Sequence, residues 1–189
     1  FSFGGIYARE KFGWDIEMVL IFGIGINVAA GIGAFVFGFL DDRLGAKRTI
    51  QISNYAIFIA VMIAILSSYV PDIHINLQVW GLMIGGYEVI TITGTVWFWI
   101  AGIIMGIASG PNQSASRSLM GRILPEKKTN EFYGFYAFSG KATSFAGFLL
   151  LSLMILITGS QEIGMLVVSL LLIGGIYLLG NVKDCVEGK

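Results

Sequence analysis

Charge is scarce in this chain, and so are the residues most enzymes use. Acidic and basic side chains make up 13% of the 189 residues, against about 25% in soluble domains. The two signs cancel to a net charge of zero, which removes the electrostatic case for nucleic acid. The sole cysteine, Cys185, sits in a polar tail, so neither an internal disulfide framework nor a CxxC metal site is available. The single histidine, His74, lies in a loop region, leaving no serine–histidine–acid set and no metal constellation. Neither a G-x-G-x-x-G nor a G-x-x-x-x-G-K-[ST] run occurs, which argues against dinucleotide binding and ATP hydrolysis. No catalytic set, cofactor or metal is expected. No aspartate or glutamate falls deep in an apolar segment, so a carboxylate relay for proton coupling would have to lie elsewhere. The chain opens on Phe1 with no charged n-region, and reads as cropped with no signal peptide visible.

What the chain has instead is apolar length. Hydrophobic residues reach 56% and the mean hydropathy is +0.80. They come in blocks of about 20 residues, the length that crosses a bilayer. Five full spans are expected, at 16–40, 50–70, 96–119, 131–157 and 163–179, after the last turns of another at 1–8. Arg9-Glu10-Lys11 and Asp15 form a polar turn. Between 72 and 95 the alternation of Ile73, Ile75, Leu77 and Val79, then Val89 and Ile92, predicts a short β-hairpin about Gly85-Gly86, outside the membrane. The expected class is an all-α integral membrane protein with the lipid bilayer as its first partner.

Orientation follows from the basic residues. Arg43, Lys47 and Arg48, the 122–128 link and the Lys183/Lys189 tail fall on one side if successive loops alternate. The other side holds only Arg9 and Lys11. The first side is then cytoplasmic.

Small residues recur every four positions. Gly25, Ala29 and Gly33, and Ala30, Ala34 and Gly38, form two rows in the first full span. Gly102, Gly106, Gly110, Ser114 and Ser118 form one in the third. Such rows let helices approach closely in lipid. Pro111 removes the hydrogen bond to the Ile107 carbonyl and should kink its helix.

A few polar residues interrupt otherwise apolar helices. Lys141 falls about 15 Å into its span at 1.5 Å per residue. A lysine at helix centre costs about 2.5–3.5 kcal/mol and usually faces a bundle interior or watery cavity. Gly134, Ala137, Ser144 and Phe148 share its side. It could meet an anionic solute group or form a structural pair. Arg117 could snorkel to the headgroups or line the inner mouth of a path with Gln113. Gln113 and Asn112 point about 100° apart, and Gln113 is favoured for the cavity. Asn27 is a further candidate, with packing hydrogen bonds as the alternative. Lys141, Gln113, Arg117, Asn27 and Ser144 are therefore the candidate path residues.

Gly38-x-x-x-Asp42-Arg43-x-Gly45-x-Lys47-Arg48 resembles the signature loop of the major facilitator superfamily, departing from it at Ala46, where a basic residue is usual. The run 110–125, then Glu131-Phe132-Tyr133-Gly134-Phe135-Tyr136 and Ser139-Gly140-Lys141, is similar to the vacuole-effluxer-like branch. That branch includes fungal autophagy-linked proteins that release amino acids from the vacuole. The resemblance implies half of a twelve-span fold, the end of span 7 plus spans 8–12, rocking against a missing N-terminal six-span half. It implies a gating role for Gly38, Asp42, Arg43, Gly45, Lys47 and Arg48, with Asp42 facing a helix N-terminus of that other half. A solvated turn is the alternative. The implied activity is secondary transport of a small solute, anionic or zwitterionic, such as an amino acid. The membrane would be the cell inner membrane in a bacterium and the vacuolar membrane in a fungus. A non-transporting scaffold half-bundle is the competing reading, and a membrane enzyme comes third.

Overall fold

The computed structural model describes residues 2–70, 73–75, 90–92, 94–124 and 128–182. Its helices are α1 (Ser2–Phe12), α2 (Ile16–Leu44), α3 (Ala46–Leu66), α4 (Gly94–Ile123), α5 (Thr129–Thr158) and α6 (Gln161–Gly180). A 3-10 turn at Ser67–Tyr69 ends α3. All but α1 are long and apolar enough to cross a membrane. Apart from one short strand pair, the regular structure of the described residues is helical, with five membrane-length helices, as half of a major facilitator fold requires. Strands β1 (Ile73–Ile75) and β2 (Ile90–Ile92) pair antiparallel with His74 opposite Thr91, and the expected Gly85-Gly86 turn lies outside the described residues.

Helix boundaries mostly extend beyond the apolar blocks, except that α3 ends at Leu66, with a 3-10 turn to Tyr69, short of residue 70. Hydropathy marks where lipid ends, whereas backbone hydrogen bonding continues into polar sequence. Arg9-Glu10-Lys11 is therefore helical, not a turn, and α1 stops only before Gly13, which has φ 66°. Asp15 then caps α2, its Oδ1 accepting from the Met18 amide at 2.8 Å. At the other end α2 runs past residue 40 to Leu44, and α3 begins at Ala46. Gly45 is the whole link, at φ 82° and ψ 151°, a region open essentially to glycine alone.

The packed body consists of α2, α3 and α4 with α1 against one end; α6 lies on α3, and α5 packs chiefly on α6. Two clusters hold the body. Toward the Lys11 end, Tyr7, Trp14, Phe22 and Phe98 interlock with Ile26, Ala64 and Ala101. Phe98 stacks on Phe22 at 5.2 Å and on Tyr7 at 5.6 Å, while Trp14 meets Phe22 edge-on at 5.2 Å. Such aromatic pairs add about 0.5–1.5 kcal/mol each beyond their buried area. Toward the Gly45 end, Ala46 and Ile50 of α3 meet Ala115 and Leu119 of α4.

Between the clusters, α2 and α4 touch backbone to backbone. A Cβ at Gly110 would lie 2.2 Å from the Ala30 carbonyl oxygen, and one at Gly106 2.6 Å from that of Ile26. From α2, a Cβ at Gly33 would lie 2.1 Å from the Ile107 oxygen. That oxygen is the one Pro111 leaves without its helical donor. Pro111 itself is buried inside an unbroken α4, and the close Gly33 backbone offers its freed acceptor weak Cα–H contact. The seam is shorter than the five-residue row: Ser114 is exposed and Gly38 has open space around it. Gly25 meets the Trp99 ring rather than a small residue.

Candidate functional site

Polar residues on the spans divide into those the body absorbs and those it leaves open. Asn112 of α4 is absorbed: its Nδ2 donates to Oδ1 of Asn54 on α3 at 3.0 Å. Amides buried between membrane helices need such a partner. Asn54, like Asn112, is an amide on a membrane-length helix, and sequence reasoning passed over it. Gln113, one residue on, is exposed, as is Arg117 one turn later. Asn27 is exposed too, with Nδ2 donating to the Gly23 carbonyl of its own helix at 2.8 Å.

Helix α5 is different. Only Leu151 is buried along its length, against nine residues of α4. Lys141 stands twelve residues after Thr129, about 18 Å along the helix at 1.5 Å per residue. It is exposed, and among the described residues no ion-pair or hydrogen-bond partner is recorded for it. Ser144, on the same side, is exposed and bonds the Gly140 carbonyl of its own helix at 2.8 Å. A Cβ at Gly134 or Gly140 would meet nothing within 4 Å. Near its start α5 touches the end of α4, where the Tyr133 hydroxyl donates to the Arg117 carbonyl at 3.4 Å. Near its end, a Cβ at Gly164 of α6 would lie 3.3 Å from the Leu151 carbonyl. Two open apolar grooves, of about 460 and 360 Å³, run along the later half of α5 past Phe145, Phe148 and Leu156. Lys141, Gln113, Arg117 and Asn27 line neither groove.

The signature-loop residues also separate. Lys47 Nζ donates to the Gly180 carbonyl at 3.2 Å and to that of Val182. It thereby caps α6 where the helix dipole is negative. Arg43 and Arg48 are exposed. Asp42 is helical, and its side chain lies outside the described residues.

At the opposite end is a cluster that the sequence did not announce. Lys11 pairs with Glu162 Oε1, and Gln161 Nε2 donates to Glu10. The other Glu162 oxygen accepts from the Ser160 hydroxyl at 2.7 Å. Glu162 is only 7% exposed. Its hydrogen bond holds the Lys11 ammonium above the usual lysine pKa, so on the alkaline side the pair persists until pH rises beyond the usual lysine range. Among the described residues there is no cluster of three or more histidine, cysteine or acidic side chains that could hold a metal.

The sequence was compared with known proteins. A family model described as "Vacuole effluxer Atg22 like" matches residues 2–184. Autophagy-related protein 22 of Cryptococcus neoformans is 24% identical over 180 residues, 94% of this chain and 31% of that protein. Autophagy-related protein 22-2 of Emericella nidulans is 27% identical over 170 residues, 89% of this chain and 27% of the relative. The uncharacterized MFS-type transporter YxiO of Bacillus subtilis is 32% identical over 90 residues, 48% of this chain and 21% of that protein. The chain thus spans less than a third of the length of these relatives. No solved structure matches. A match over nearly the whole chain, on a body of five membrane-length helices, places the protein in the Atg22-like vacuole effluxer family of the major facilitator superfamily.

Proposed function

We propose that this chain is the C-terminal half-bundle of a secondary transporter. It moves a small anionic or zwitterionic solute, of the amino-acid class, by alternating access against an N-terminal six-span half. The observation that carries this reading is the open face of α5. A lysine near the middle of a membrane-length helix is tolerated where water or cargo reaches it, and its neighbours Gly134, Gly140 and Ser144 leave room for a solute. In a scaffold half-bundle, small residues on that helix would be closed against neighbours. Gln113 and Arg117, exposed on the cytoplasmic half of α4, suit the inner mouth of the same path. The signature loop then works at the cytoplasmic gate, with Lys47 holding α6 while Asp42 and Arg43 meet the other half. The membrane is the inner membrane in a bacterial host and the vacuolar membrane in a fungal one.

The test is flux. The full-length carrier is reconstituted in vesicles, and uptake of a panel of radiolabelled amino acids is compared for wild type and Lys141→Met. Loss of flux with normal insertion is expected; unchanged flux overturns the assignment of Lys141.

A further inference from the structure

We propose that Lys11 and Glu162 are positioning residues that set the register of α6 and, through it, the placement of α5. The contacts of α6 along its length are almost wholly apolar: its sequence from Met165 to Leu179 is leucine, valine, isoleucine and glycine with few interruptions. The one buried hydroxyl there, Ser169, bonds its own helix at Met165. An interface of that kind has little to fix rotation or sliding, because one aliphatic contact replaces another at small cost. Polar contacts therefore mark the register, and they sit at the two ends. Lys47 holds the last carbonyls of α6, a contact any helix end could satisfy. The first turn is held by side chains that match specifically: Glu10 with Gln161, and Lys11 with Glu162. Glu162 is buried while the Lys11 side chain is 40% exposed, so the pair adds little net stability, and the best-attested role of an ionic contact to a buried partner is to fix registry.

The consequence falls on α5. Its start touches α4 through Tyr133, and its later half rests on α6 through Leu151 and Ile155 against Gly164. Loosening the first turn of α6 moves the support of α5 while leaving the α2–α4 seam untouched. The inference concerns helix placement and holds whichever solute the protein carries.

Distances between spin labels on the full-length protein in nanodiscs test this. Cys185 is replaced by serine, and labels are placed at the exposed positions Leu20 and Phe138, spanning α2 and α5. A second pair at Leu20 and Ile123, spanning α2 and α4, serves as reference. Lys11→Met and Glu162→Gln are each expected to shift and broaden the Leu20–Phe138 distribution and leave Leu20–Ile123 unchanged. The exchanged pair, Lys11→Glu with Glu162→Lys, is expected to restore the wild-type distribution. The proposal is overturned if the single variants leave both pairs unchanged, if both pairs broaden together, or if the exchange restores nothing.

Discussion

Helices α4 and α5 are both 30 residues long, and both set glycines and polar groups among lipid-grade residues. One is at the centre of the body and the other is nearly bare. The difference lies in what their small residues meet. On α4, Gly102 takes the Phe22 ring, while Gly106 and Gly110 take the backbone of α2. On α5, Gly134, Gly140 and Gly147 meet nothing within 4 Å. A stripe of glycines is therefore an opportunity for close approach, and a partner decides whether it becomes an interface. The polar groups follow the same division: Asn112 on α4 has its amide partner, and Lys141 on α5 has open space.

Breaking the α4 side should have the largest effect. Gly110→Val drives side-chain atoms into the Ala30 carbonyl, and overpacking of this kind costs about 3 kcal/mol. Denaturant titration in detergent should show that loss, while Gly140→Val leaves the midpoint unchanged. A comparable loss from Gly140→Val would mean that α5 is packed after all. Next in size is the link between α2 and α3. Gly45→Ala must hold a conformation that costs about 1–3 kcal/mol for a residue with a Cβ, which the same titration measures. The Asn54–Asn112 pair should be worth less, about 0.6 kcal/mol by analogy with other membrane helices. A double-mutant cycle on Asn54→Leu and Asn112→Leu gives the coupling directly, and zero coupling would remove the bond from the account. Least perturbing is a test of water access to α5. Lys141→Cys in the full-length carrier should react with a membrane-impermeant maleimide, and Leu170→Cys on the exposed side of α6 should not. Equal protection of both would place Lys141 in lipid.

Several features were legible beforehand. Five membrane-length helices and the strand pair follow from local rules: apolar length and alternation. The extent of the helices was not, because Arg9 to Lys11 and the residues after Leu40 look like loop to a hydropathy window while their backbones still complete helical hydrogen bonds. Asn112 is tied to Asn54 while Gln113 beside it is exposed, and Asn54 went unremarked because a partner on another helix leaves no local trace. Glu162 went unremarked for the same reason, lying next to a Thr-Gly-Ser turn as an ordinary surface acid would. The role of Lys47 is a third case: a basic loop motif suggests a gate, and the bond to α6 depends on a helix end that begins 133 residues away.

The sequence by itself determined that this chain belongs in a bilayer and where its helices can come close. Those properties are sums over neighbouring residues and need no fold to be evaluated. Only the tertiary structure decided which glycine row became a seam, which amide found a partner, and which charges were tied down at the ends of α6. Each of those is a pairwise contact between segments distant in the chain, and its energy exists only once both partners share a place in space.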